Sequence, residues 1–273
     1  MKIDKALRIN QECRRIHGWF STEAAMLFAL IDEIQSDNNV TGDVFEIGSH
    51  HGKSTVFLGS MISPETEKLC VCDLFGDQSN NLSSSGSGDL EIFNENMRLI
   101  QESGVELKVF QKNSNALSSI DIGSNYRLFH IDGGHNCDEA LSDLKLAANS
   151  IIDKGVIILD DPFRIEWPGV TEALIRFLDE YSQFHAITVG FNKLILVKSI
   201  HSSLYLDIIQ QAETQKVYGL SYPWHTKELP FINKSILIFY LPTYLENDKS
   251  NIFVKNTIFR RFIKLIKSIT RNS

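Results

Sequence analysis

The chain has 273 residues, of which 43% are hydrophobic, and its 34 acidic and 27 basic residues give a formal net charge of −7. This length and apolar content suffice to bury one full α/β core with some sequence left over. The acidic balance and the lack of a base-reading motif argue against nucleic acid as a partner. No apolar run reaches the roughly 18 residues that suggest a membrane span.

The cysteines and the N-terminus point to a reducing compartment. The four cysteines, Cys13, Cys70, Cys72 and Cys137, include no C-x-x-C pair and no extracellular-type framework. The N-terminus, Met-Lys-Ile-Asp-Lys, mixes charged and apolar residues and is unlike a signal peptide. We therefore expect a cytoplasmic protein.

Hydrophobic periodicity predicts the elements in chain order. Residues 3–36 show helical spacing in two runs separated by Ser21 and Thr22, which favour a helix cap, and two helices there would cover a sheet. Strand and helix patterns then alternate, with strands near residues 43–48, 68–73, 105–111, 126–131 and 155–160 and helices near residues 52–62, 90–103, 138–152 and 168–181. A hairpin of residues 184–190 and 193–198 follows. This alternation predicts a doubly wound, Rossmann-like α/β sheet.

The first strand runs into a glycine turn that is typical of a nucleotide-binding site. Residues 43–55 read Asp-Val-Phe-Glu-Ile-Gly-Ser-His-His-Gly-Lys-Ser-Thr. A phosphate-binding loop needs four residues between its first glycine and Gly-Lys-Ser, whereas three stand here, and a dinucleotide fingerprint needs glycine where His50 stands. ATP, GTP and NAD are therefore disfavoured. S-adenosylmethionine, which carries no phosphate, remains, with a purely structural turn as the alternative.

Two acids at strand ends suit this cofactor. Glu46 lies just before the turn, and Asp73 ends the second strand, 25 residues past Gly48. In dinucleotide folds an acid about 20 residues past the turn binds ribose hydroxyls. The alternative for Asp73 is a cap on the loop after it. We expect the cofactor site to comprise seven residues: Glu46, Gly48, Ser49, Gly52, Ser54, Asp73 and Asp132.

Further acids follow two later strands. Asp132 follows one strand, and Asp160 and Asp161 end another. Strand ends on one edge of a parallel sheet converge, and carboxylates that meet there repel one another unless a cation lies among them. Oxygen ligands suit Mg²⁺, so we expect a magnesium site, with a polar turn at residues 160–161 as the alternative. His135 follows two glycines and an acid, which favours a positioned side chain.

With these motifs the chain resembles the class I S-adenosylmethionine-dependent methyltransferases, and within them the metal-dependent sugar O-methyltransferases of the macrocin and mycinamicin type. The resemblance spans roughly residues 15–198 and begins at Gly18-Trp19-Phe20-Ser21. It implies three sets of site residues: Glu46, Gly48 and Asp73 for the cofactor, Asp132, Asp160 and Asp161 for Mg²⁺, and His135 as the base. The acceptor would be a hydroxyl of a sugar or a glycosylated natural product. Two alternatives stay open, a hydroxylase-like relative of the same fold and a non-catalytic module that binds cofactor or glycan.

We divide the chain into an N-terminal helical cover (residues 1–40), the methyltransferase core (41–198) and a C-terminal extension (199–273). Within the core, residues 77–89 are rich in Ser, Gly and Asn and form either a lid over the cofactor or an insertion. The extension carries aromatic residues for a substrate wall or an oligomer contact: Tyr218, Tyr222, Trp224, His225, Phe231, Phe239 and Tyr240.

The last 20 residues have a charge opposite to that of the rest. Residues 254–273 contain six basic residues and no acid, so the remainder of the chain carries −13. Their apolar residues follow helical spacing, which predicts a basic amphipathic helix. Such a helix could dock on the anionic inner face of a membrane, where each basic residue adds about 1 kcal/mol. The alternative is packing against the acidic body of its own chain or of a partner copy.

Overall fold

The computed structural model describes residue 1 and residues 3–82, 86–211 and 225–240. The predicted basic helix at residues 254–273 and the aromatic residues Tyr218, Tyr222 and Trp224 lie outside the described residues. Docking of that helix on a membrane or on protein therefore stays a prediction.

The strands of the described chain are β1 (Asp43–Ile47), β2 (Lys68–Asp73), β3 (Glu106–Gln111), β4 (Tyr126–Ile131), β5 (Ile151–Asp160), β6 (Phe184–Gly190), β7 (Lys193–Lys198), β8 (His225–Phe231) and β9 (Lys234–Tyr240). They form one sheet in the order β3-β2-β1-β4-β5-β7-β6-β9-β8. The first five strands pair in parallel, and β7 is antiparallel to both β5 and β6. The predicted doubly wound sheet is confirmed.

The helices are α1 (Ile3–Cys13), α2 (Thr22–Asp37), α3 (Lys53–Gly59), α4 (Leu90–Gln101), α5 (Ser119–Ile122), α6 (Cys137–Ser150), α7 (Pro168–Glu180) and α8 (Ser202–Gln211). As predicted, Ser21 caps α2, because its hydroxyl accepts a hydrogen bond from the amide of Ala24 at 3.1 Å. In the described part of the chain, no helix is both long enough and apolar enough to cross a membrane.

Two apolar cores lie on the two faces of the sheet. Successive residues of a strand point to opposite faces, so Val44 packs in one core with α1, α2 and α3, while Phe45 packs in the other with α6 and α7. The strands β1, β2 and β4 are covered on both sides, which explains their nearly continuous apolar runs, whereas the edge strand β3 is partly exposed. The same geometry brings the carboxyl ends of β1, β2, β4 and β5 to one edge.

A buried arginine joins the N-terminal helical cover to this sheet. Arg127 on β4 contacts Asp32 of α2 at 2.8 Å through Nη1 and donates to Glu67 at 2.8 Å through Nε. The Arg127 side chain is 3% exposed. Removing one partner of such a buried charged network leaves an uncompensated charge, so the network holds α2 in a defined position over the sheet.

Several boundaries differ from the prediction: α3 ends at Gly59 rather than near residue 62, α4 ends at Gln101 rather than near residue 103, and β5 begins at Ile151 rather than near residue 155. The helix predicted to reach residue 152 ends at Ser150, because Ile151 takes an extended conformation and starts β5 by pairing with Tyr126. In addition, the sheet continues past the predicted hairpin. β9 pairs with β6 through Thr188 and Leu237, and β8 pairs with β9.

Candidate active site

The turn after β1 is a tight left-handed segment. Gly48, His50 and Gly52 have φ angles of 81°, 51° and 86°. A Cβ at Gly48 would lie 1.8 Å from the carbonyl oxygen of Asp132, so only glycine lets the end of β4 come this close. A Cβ at Gly52 would lie 2.3 Å from a side-chain atom of Met97 on α4. Gly48 therefore allows the turn to pack directly against the backbone of Asp132, while Gly52 allows it to pack against the side chain of Met97.

Asp73 fixes the conformation of this turn from the end of β2. Its Oδ2 accepts hydrogen bonds from the amides of Ser49 at 2.7 Å and His50 at 2.8 Å, and its Oδ1 accepts from the amide of Phe75 at 2.6 Å. Asp73 thus caps the loop after it, as the alternative held, and also holds the glycine turn. Oδ2 already accepts two backbone hydrogen bonds, whereas Oδ1 accepts one and has room for a second, so Oδ1 is the atom that could accept from the ribose of a cofactor.

Glu46 requires a correction. Its side chain is fully buried, and its two oxygens contact Nδ1 of His130 at 2.9 Å and the hydroxyl of Thr55. It is absent from the residues that line the cavity described below. The predicted direct contact with the cofactor is therefore replaced by a supporting position behind the turn, where Glu46 ties β1 to β4 and to α3. Its orientation follows from the pairing of Glu46 with His130 across the two strands.

The other predicted turn residues lie beside the cavity rather than along it. Ser49 and Ser54 line a small recess of about 40 Å³ under the turn, which Asp132 also borders. Gly52 lines neither space among the described residues, because it packs against Phe93 and Met97.

The predicted acids meet around Asp132. Asp132, His135 and Asp161 each have one atom that could bind a metal ion, and these three atoms all lie within 4.8 Å of one another. The corresponding atoms of His130, Asp132 and Asp160 form a second such group. Asp161 has a φ of 56°, which is costly for a residue other than glycine. The side-chain amide of Asn192, in the turn between β6 and β7, donates to Asp161 and, at 3.1 Å, to Oδ1 of Asp160.

A buried lysine accompanies these acids. The Nζ atom of Lys193, the first residue of β7, lies 2.5 Å from Oδ2 of Asp160, and the lysine side chain is 3% exposed. Burial alone would lower the pKa of Lys193, but the negative charges of Asp160 and Asp132 raise it. The sequence motifs did not predict a role for Lys193. Its signal is a single lysine at the start of the apolar run Leu194-Ile-Leu-Val197.

His135 lies at the cavity wall in contact with Asp161. Its Nε2 is 3.2 Å from Oδ2 of Asp161, and its ring packs against Trp167 with the centroids 4.3 Å apart. Burial tends to raise the pKa of Asp161, but hydrogen bonds from His135 and Asn192 and the charge of Arg164 hold it below its usual value. Asp161 is thus an ionised partner that orients the imidazole.

One cavity of about 690 Å³ joins these parts. Its walls include Gly48, Asp73, Asp132, His135 and Asp161, with Gly48 and Asp132 next to each other. The segment Gly18-Trp19-Phe20-Ser21 borders it, as do Asn81, Gly86 and Gly88 from the described part of the 77–89 loop. The volume lies in the usual range for small-molecule sites. Closure of that loop as a lid stays a prediction.

The donors present fit a divalent cation. The pKa of Asp132 is raised well above its usual value, first by burial and then by the negative charge of Asp160. The buried Nε2 atom of His130 makes no hydrogen bond with a described residue. A cation among the three carboxylates would relieve this repulsion. Asp160 is the least available ligand, since Lys193 already neutralises it.

Comparison with known proteins bears on the fold. Residues 45–162 match the family model described as a methyltransferase domain. The solved structure of the O-methyltransferase NovP is 14% identical, with 66% of this chain and 83% of that chain covered and a TM-score of 0.54. The calicheamicin methyltransferase CalS11 is 12% identical, with 71% and 91% covered and a TM-score of 0.46. An O-methyltransferase from Bacillus cereus is 16% identical, with 71% and 88% covered and a TM-score of 0.48. Curated protein sequences give no match.

Residues 45–162 therefore match a methyltransferase domain. The sheet order of the chain, its glycine turn and the likeness to NovP are those of the class I S-adenosylmethionine-dependent methyltransferase fold. The resemblance stated from the sequence motifs is confirmed at this level.

Proposed function

We propose that this protein is an S-adenosylmethionine-dependent O-methyltransferase that acts on a hydroxyl of a sugar or a glycosylated natural product. One observation carries the proposal. A single cavity joins the glycine turn, whose spacing does not fit a phosphate-binding loop, and Asp73 to the pair formed by His135 and Asp161. A methyl donor at the turn and an acceptor hydroxyl at the histidine would then share one enclosed space. The acceptor class rests on the sequence resemblance and on the polar wall, which also includes Arg164 and Asn192.

The turn side of the cavity would hold the cofactor. Asp73 is the acid available to the ribose hydroxyls, while its bonds to the amides of Ser49 and His50 keep the turn in place. Apolar wall residues such as Ile47 and Phe75 would contact the uncharged parts of the cofactor. The acid cluster lines the same cavity, so an acceptor bound there would share the space with the cofactor.

The part of the cavity lined by His135 and Asp161 would activate the acceptor. His135 would take the proton of the acceptor hydroxyl, and Asp161 would orient the ring and stabilise the imidazolium that forms. The acceptor oxygen would then form a bond to the methyl carbon as the bond from carbon to sulfur breaks, which releases S-adenosylhomocysteine. Trp167 supports this geometry because it packs against the face of the His135 ring.

Mg²⁺ is part of the proposal. Asp132 and Asp161 would hold it, with Asp160 as the third ligand predicted from the sequence. A bound divalent ion would polarise the acceptor hydroxyl and lower its pKa. Lys193 provides a fixed positive charge at Asp160 with or without the ion.

Calorimetry followed by product analysis tests the proposal. The folded protein should bind S-adenosylmethionine and S-adenosylhomocysteine but neither ATP nor NAD. In the presence of Mg²⁺, a panel of nucleotide sugars and glycosides should then yield an O-methylated product by mass spectrometry.

The contrary outcomes distinguish the alternatives. Folded protein that binds neither S-adenosyl compound would remove the methyltransferase assignment. An oxygenated product in place of a methylated one would favour the hydroxylase-like relative. Binding without turnover on any acceptor would favour the non-catalytic module.

A further inference from the structure

Three histidines outside the acid cluster come together from two separate segments. His17 belongs to the connection between α1 and α2, while His50 and His51 belong to the turn after β1. One ring nitrogen of each lies within 4.8 Å of the others. The ring centroids of His50 and His51 are 3.9 Å apart, and those of His17 are 5.5 and 5.8 Å from them.

The environment of this cluster suits a metal ligand better than a charged group. Nδ1 of His50 is buried and has no hydrogen-bond partner of good geometry among the described residues, although a backbone contact of the ring with His17 acts to raise its pKa. Burial lowers the pKa of His50, and the neighbouring rings of His51 and His17 lower it further. The three rings are therefore held close together, and a neutral imidazole nitrogen is the form that binds metals.

We propose that His17, His50 and His51 form a Zn²⁺ site. Imidazole nitrogens suit zinc and related transition metals, whereas Mg²⁺ prefers oxygen ligands. Three histidines with water in the fourth position form a known type of zinc coordination. The site therefore differs in chemistry from the carboxylate cluster, and it does not depend on methyl transfer.

A bound ion would join two segments that border the cofactor cavity. Gly18 and Trp19, next to His17, line the cavity together with His50. The Trp19 ring lies 5.6 Å from the ring of His17 and 5.4 Å from that of His50. Zinc would thus fix the connection between α1 and α2 onto the glycine turn.

Titration of the full-length, untagged chain with ZnCl₂ by calorimetry tests this proposal. The wild-type protein should bind one ion at the histidines. Loss of an outer partner of a metal site typically weakens binding 10- to 100-fold, so His17→Ala and His51→Ala should each weaken zinc binding by at least about 100-fold. Circular dichroism should show that both variants are folded.

Two variants serve as controls. His201→Ala removes a histidine that is bonded to Asp153 far along the chain, and Asp161→Asn alters the carboxylate cluster. Both should retain the wild-type zinc affinity. Wild-type affinity in His17→Ala and His51→Ala would overturn the proposal, as would loss of the zinc signal in Asp161→Asn.

Tryptophan fluorescence of the protein with all three histidines in place gives a second test. Ni²⁺ should quench the emission of Trp19, and the quenched component should be missing in Trp19→Phe. Competition with Zn²⁺ should restore the emission. Equal quenching in the wild-type protein and in Trp19→Phe would place the ion elsewhere and contradict the assignment.

Discussion

Removal of the buried ammonium of Lys193 should destabilise the protein strongly. Lys193→Met keeps the length of the side chain but leaves Asp160 without its partner at 2.5 Å. At an effective dielectric constant of about 20, two unit charges at this distance attract by about 7 kcal/mol, and desolvation offsets part of that. Breaking buried ion pairs by removing one partner typically costs about 3–5 kcal/mol. We expect a loss of that size.

Urea unfolding, monitored by circular dichroism, measures this loss of stability. Asp160→Asn in the Lys193→Met background should restore part of the stability, because it removes the uncompensated charge. Lys198→Met on the same strand is the matched control. Its partner Asp153 is 63% exposed, and such surface pairs contribute about 0–1 kcal/mol.

Mg²⁺ gives the experiment a second readout. If the carboxylates form a cation site, Mg²⁺ should stabilise Lys193→Met more than the wild-type protein, since the ion would supply the missing positive charge. If Lys193→Met cost no more than Lys198→Met, the ammonium would not be a structural counter-ion of the cluster, and the reasoning would fail.

Two other substitutions test the site, and a third tests Asp143, a buried acid of α6 outside the cavity wall. His135→Ala should lower the methyl-transfer rate by roughly 10²–10⁴-fold without changing calorimetric S-adenosylhomocysteine affinity. Gly48→Ala should unfold the turn or weaken cofactor binding, because the new Cβ would lie 1.8 Å from a backbone oxygen. Burial raises the pKa of Asp143 to about 7, from a usual 3.8. The neutral form is therefore favoured in the fold, and the stability this group contributes is full below about pH 4. The free energy of unfolding then falls as the pH rises through about 7, by up to about 4 kcal/mol in total, because the buried carboxyl group has to ionise. Asp143→Asn should flatten that dependence in urea unfolding between pH 4 and 8.

Controls accompany these three changes. Gly123 also has a positive φ, of 91°, but nothing lies within 4 Å of its added Cβ, so Gly123→Ala should show only the backbone cost of a conformation at φ 91° and ψ −177°, about 1–3 kcal/mol. Asp138→Asn changes an exposed acid on the same helix as Asp143 and should leave the pH dependence intact. Near-normal turnover of His135→Ala would assign the proton to another group. An unchanged pH dependence in Asp143→Asn would refute the burial argument.

The sequence by itself determined the order of the elements and the edge at which chemistry occurs. Apolar runs of strand length alternate with helical periodicity, and in a parallel sheet this alternation places the carboxyl ends of the strands together. The acids Asp73, Asp132, Asp160 and Asp161 were therefore predicted to lie at one edge, and they do. Gly48 was predicted for the same local reason, because a tight turn requires a residue that tolerates positive φ.

Only the tertiary structure decided which side chains meet. Glu46 is turned inward because the register of β1 against β4 places it opposite His130. Lys193 reaches Asp160 because the antiparallel pairing of β5 and β7 puts the two residues side by side. His17 joins the turn histidines through the packing of two distant segments. Hydrophobic periodicity describes the environment of one residue at a time, whereas register and packing depend on contacts between segments far apart in sequence, and a single sequence does not display those contacts.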